Sequence, residues 1–165
     1  IGLAALLDAF DIVAHSAARF ITDDLERKGI PIAFGSADDF SDKLGDAIAV
    51  FFPTGTTAFP GAPSILPSIL FNPSFVNEAP GVLAAVLVHE GTHFLQYLDR
   101  SLFNPVLSII DIEFVAWWNE AVFWESVRSQ FLPIDTALEF EEELALEQAR
   151  QGEAALRDFI TPLYT

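Results

Sequence analysis

One stretch constrains this chain more than any other. In GVLAAVLVHEGTHFLQYLDR, residues 81–100, three polar side chains interrupt a long apolar period. His89, Glu90 and His93 form H-E-x-x-H, flanked by Val82, Leu83, Val86, Leu87 and Val88 before and Phe94, Leu95 and Leu98 after. The apolar flanks predict a largely buried helix, running from Pro80 in its first turn to about Ser101. Histidines four positions apart project from one helical face, so both imidazoles can reach one metal ion. The glutamate after the first histidine then lies beside that ion, where it can take a proton from water. Burying such a trio without partners is costly, and a metal would satisfy it. The pattern reads as a zinc site of the hydrolytic kind, with Glu90 as catalytic base.

A catalytic zinc usually takes three protein ligands and keeps one position open. The chain has no cysteine, and its third histidine, His15, lies far upstream on a first helix, where it reads as structural or surface. The third ligand is therefore expected to be a carboxylate. The segment NPVLSIIDIEFVAWWNEAVFWESVRSQFL reads as a second long helix from its Asn-Pro start and apolar period. Glu113 sits among Ile109, Ile110, Ala116 and Trp117, one turn up and down, and an ionised carboxylate there needs a counter-charge. Glu120 lies two turns along the same face, as a competing ligand or as the group that orients a ligating histidine. The more apolar surroundings favour Glu113.

With these residues in hand, the chain resembles the gluzincin class of zinc metallopeptidases, and most closely its small single-domain, minigluzincin-like members. The resemblance runs from about Ser68 to Thr165. It rests on HEGTH, on Glu113-Phe-Val-Ala116-Trp117 as an E-x-x-A-aromatic helix, and on a closing GEAALRDFITPLYT that ends near a tyrosine. No H-x-x-G-x-x-H extension follows His93, so the metzincin pattern is absent. The resemblance implies a Zn2+ cofactor held by His89, His93 and Glu113, and a peptide or protein substrate. It implies that the strand Ser68-Ile-Leu-Phe-Asn72 is the edge strand bordering the cleft, with Ser68, Leu70 and Asn72 placed to bind substrate. The same residues also read as an ordinary core strand, and both readings can hold because alternate residues face opposite sides. The resemblance also suggests Tyr164 as a donor to the developing oxyanion. Tyr97, one turn beyond His93, could touch substrate or donate to a ligand, but packing is the favoured reading. Asp99, Asp135 and Glu120 all remain open as carboxylates for a histidine N–H.

Charge narrows the partners. Twenty-four acidic residues against eight basic ones give a formal charge of −16, which repels phosphate backbones and excludes nucleic acid as an expected partner. Basic or neutral substrates are favoured on encounter. Much of the acid sits in LEFEEELALEQARQGE, which reads as a solvated helix face. Residues 47–77 carry no charge, yet their prolines and glycines are too many for a membrane span. With no cysteine there is no disulfide to mark a compartment. The start at Ile1, without a methionine, reads as a processed or trimmed chain and leaves the compartment open between cytoplasmic and secreted after loss of a signal peptide.

The expected fold is α+β and zincin-like: one domain over residues 1–165, predominantly helical, with a small, mostly antiparallel sheet preceding the H-E-x-x-H helix. A first helix is expected from residue 2 to about 28, ended by Gly29. Strands are expected at Ile30–Phe34, Ala47–Phe52 and Ser68–Asn72, and a short helix at Ser36–Leu44. A C-terminal helix is expected over Ile134–Gln151. A second functional reading stays open on sequence alone: a zinc-binding domain that is structural or partner-binding, with hydrolysis absent or latent. Glu90 argues against it, because a structural site needs ligands but no base.

Overall fold

The computed structural model describes residues 2–41, 47–53, 67–99, 107–131 and 134–165. The Pro/Gly-rich connection before Ser68, the Asn104-Pro105 start and Pro133 lie outside the described residues. The chain runs α1 (Gly2–Ala14), α2 (Arg19–Lys28), β1 (Ile32–Phe34), α3 (Ala37–Ser41), β2 (Ala49–Phe52), β3 (Ser68–Phe71), α4 (Pro80–Leu98), α5 (Ile109–Val127), α6 (Ala137–Gln151) and α7 (Glu153–Ile160). The class is α+β and mostly helical, as expected. No described helix is long and apolar enough to cross a membrane.

Three expectations need correction. The first helix breaks in two, because the Ser16 hydroxyl accepts the Ala18 N–H and donates to Val13 O, which competes with the helical ladder. Gly29 ends α2 as foreseen, in the left-handed region at φ 62°. The sheet is mixed rather than mostly antiparallel: β1 pairs parallel with β3, and β2 antiparallel. Its order is β1-β3-β2, so β3 is the central strand and not the edge that borders a cleft.

α4 is the central element. From Gly81 to Thr92 every residue is buried, and the helix packs between α1 and α5, with α2 and β2 against it. Its core neighbours include Leu6 and Val13 of α1, Ile21 and Leu25 of α2, Ile69 and Phe71 of β3, and Phe123 and Trp124 of α5. Gly91, between Glu90 and Thr92, marks the closest approach to α2: a Cβ there would overlap Cγ2 of Ile21. Gly91→Ala gains about 1 kcal/mol of helix propensity, but overpacking costs about 1–3 kcal/mol. The expected result is a lower melting temperature, read by thermal unfolding. A variant as stable as wild type would mean that Ile21 retreats freely.

α5 begins at a capping box in which Ser108 accepts the Asp111 N–H and Asp111 accepts the Ser108 N–H. α6 begins at another, made by Thr136 and Glu139. A second apolar cluster, Trp117, Ala121, Ala145, Ala149, Leu156 and Ile160, binds α5, α6 and α7 together. Arg157 of α7 pairs with Asp111 at 2.9 Å and lies over the Phe114 ring. These contacts fix the C-terminal turn that carries Tyr164.

Candidate metal centre

α4 supplies two histidines one turn apart, and α5 supplies a glutamate opposite them. The Nε2 atoms of His89 and His93 are 3.2 Å apart, and Glu113 Oε2 lies 3.3 Å from the first and 3.4 Å from the second. Donors ~2.0–2.1 Å from a tetrahedral zinc are separated by about 3.3–3.4 Å. The triangle thus has the edge lengths of one face of that tetrahedron. Among the described residues this is the group of three side chains that could hold a metal ion.

Could hydrogen bonding alone satisfy the cluster? Glu113 Oε2 is buried and has no well-aligned donor in the protein. An unpaired buried carboxylate oxygen is costly, and a cation at the centre of the triangle relieves it. Burial acts to raise the pKa of Glu113, but the two histidines facing it hold its carboxyl far below the usual range. It is therefore an anion, as a ligand must be.

The far sides of the rings are held as well. His89 Nδ1 lies 2.7 Å from Glu120 Oε2, so a proton on Nδ1 donates to that carboxylate and leaves the Nε2 lone pair free. Burial alone would lower the pKa of His89, but the Glu120 charge, the nearby Glu113 carboxylate and the hydrogen bond to Glu120 raise it well above the ordinary value. His93 Nδ1 meets Gln96 Oε1 at 2.9 Å, and the Gln96 amide donates to Ile112 O of α5. Gln96 was missed in the sequence, although it lies one turn beyond His93 on the same face. Trp117 stands edge-on to His89, with ring centroids 5.4 Å apart.

Glu90 lies beside the triangle and reaches to the sheet. Its Oε2 accepts the Phe51 N–H of β2 at 2.8 Å. Burial raises its pKa, while both histidines and the Phe51 N–H pull it back. The β2 register explains why that N–H is available. Asn72 N–H donates to Ile48 O, so alternation puts Val50 and Phe52 in the pairs bonded to β3. The backbone groups of Ala49 and Phe51 then face outward. β2, and not β3, is the edge along the cleft among the described residues.

The cleft has a volume of about 950 Å³. Ala47 to Phe51, the histidines, Glu90, Glu113, Glu120, Tyr97 and Tyr164 all line it. Ser68, Leu70 and Asn72 do not. Asn72 instead donates to Ala47 O and accepts from Ser74, pinning the turn after β3. Tyr97 packs its ring against Phe51. Tyr164 reaches the cleft, where its hydroxyl accepts from Trp117 Nε1 at 3.0 Å and lies beside Glu113. Asp135 offers its N–H to Glu139 in the cap of α6, and His15 is exposed. No protein-family model matches the chain, and no curated protein or solved structure is detectably similar to it.

Proposed function

We propose that this chain is a zinc-dependent peptidase of the gluzincin kind, with His89, His93 and Glu113 as ligands and Glu90 as general base. One observation carries the reading beyond metal binding. Glu90 is not in the ligand triangle, yet it is buried beside it and fixed by an N–H of the cleft's edge strand. A structural metal site has no use for such a carboxylate.

Zinc in the triangle would supply Lewis acidity, making water easier to deprotonate and a carbonyl easier to attack. The chain's own groups do the rest. An extended peptide pairs with the outward backbone groups of Ala49 and with the Phe51 carbonyl, the Phe51 N–H being held by Glu90. Glu90, its Oε2 fixed by Phe51, takes a proton from the attacking water and passes it to the amine nitrogen as the C–N bond breaks. Glu120 and Gln96 hold the two imidazoles in the tautomer that offers Nε2. Tyr164 presents a hydroxyl to the cleft, where it can donate to a carbonyl oxygen that gains negative charge.

The test is hydrolysis of an unfolded protein by the zinc-loaded chain. Cleavage abolished by a chelator and restored by added zinc is expected. Stoichiometric zinc without cleavage of any unfolded substrate would instead favour the binding-domain reading.

A further inference from the structure

The acidic run of α6 is not simply a solvated face. Its glutamates divide by direction. Glu143 pairs with Arg128 at 2.5 Å and accepts the Trp124 indole N–H, and Glu139 closes the helix cap. Glu141 and Glu142 instead line the cleft, together with Leu138 one turn before them and Glu120 opposite. Positions 138, 141 and 142 share one helical face. Glu142 is 2% exposed and its Oε2 has no hydrogen-bond partner, although it borders the cavity.

The charges in the cleft do not balance. Five glutamates line it (Glu90, Glu113, Glu120, Glu141 and Glu142), and no lysine or arginine does so among the described residues. A divalent ion on the histidines would offset Glu113 and Glu90. Glu120 has the His89 N–H. Glu141 and Glu142 are left without a cation. Burial, then the neighbouring Glu120, hold the Glu142 carboxyl well above the usual range, as expected where a counter-charge is lacking. Glu120, Glu141 and Glu142 do not form a metal cage, since the three-ligand group among the described residues is the His89–His93–Glu113 one. What fits is a larger cation that brings several donors and an apolar stem.

We propose that the α6 wall of the cleft is a subsite for a basic side chain of the bound peptide, with Glu141 and Glu142 receiving the guanidinium or ammonium group and Leu138 covering its methylenes. This rests on the peptidase reading for the nature of the ligand. A guanidinium offers five N–H donors, and Glu142 Oε2 at the cavity wall lacks one. Long basic side chains lay their stems along apolar surface while the charged head finds its partner. The formal charge of −16 favours such ligands from a distance as well.

The subsite can be tested without cleavage. N-acetyl-arginine amide and its citrulline counterpart have nearly the same shape and differ in charge. Calorimetry on the zinc-loaded protein should show the arginine probe binding about 10- to 100-fold tighter, the range for hydrogen bonds to a charged group. In the Glu141→Gln, Glu142→Gln double variant that gap should collapse to about twofold or less. Glutamine keeps the volume of each glutamate, so collapse of the gap reports the lost charge. Glu141→Gln alone, at a half-buried position, should narrow the gap if the double variant folds poorly. Equal affinity of the two probes for wild type, or a gap that survives in the variants, overturns the proposal. A probe preference as stated, in a protein that cleaves no peptide, leaves the subsite standing and removes the peptidase reading.

Discussion

Glu113→Ala will cost the protein its tight zinc, with affinity falling by more than the roughly 10- to 100-fold typical when an orienting neighbour is lost. Glu120→Ala will keep the ion in place and fall within that range in affinity or turnover. The two glutamates are two helical turns apart on α5, about 10 Å along its axis, so they cannot share a role. Glu113 Oε2 closes the triangle with both Nε2 atoms, whereas Glu120 lies behind His89 on Nδ1. Metal binding is coupled to folding, so zinc should raise the melting temperature of wild type, and Glu113→Ala should lose that gain. Zinc titration of both variants decides the matter. Tight zinc in Glu113→Ala, with loss in Glu120→Ala, would reverse the assignment.

Glu90→Gln will bind zinc like wild type and hydrolyse about 10²–10⁴-fold more slowly. The amide oxygen can still accept the Phe51 N–H, so the side chain keeps its place on β2 while losing its basicity. Paired zinc-binding and single-turnover assays separate the two effects. A variant that turns over at the wild-type rate would remove Glu90 from the chemistry and leave only a metal-binding triad.

The histidines and Glu113 were legible in the sequence because each breaks a strong apolar period. An i, i+4 histidine pair and a lone carboxylate among Ile, Ala and Trp announce their own cost of burial. What sequence could not reach depends on docking between distant elements. LEFEEEL reads as one solvated face, and only the packing of α6 on α5 turns Glu142 inward while Arg128 holds Glu143. Strand order is likewise long-range. β3 precedes the metal helix in sequence, yet parallel pairing with β1 makes it central and hands the cleft edge to β2. The break after Ala14 has no glycine or proline to signal it, only the Ser16 hydroxyl.

The account stands most directly on the ion itself. A zinc titration of the metal-free chain, followed by X-ray absorption of the one-equivalent complex, should give one tightly bound zinc per chain. Its shell should hold two imidazole nitrogens and carboxylate oxygen at ~2.0–2.2 Å. The binding should vanish in His89→Ala and in His93→Ala. Failure to bind one equivalent, or histidine variants that hold zinc as tightly as wild type, would contradict it.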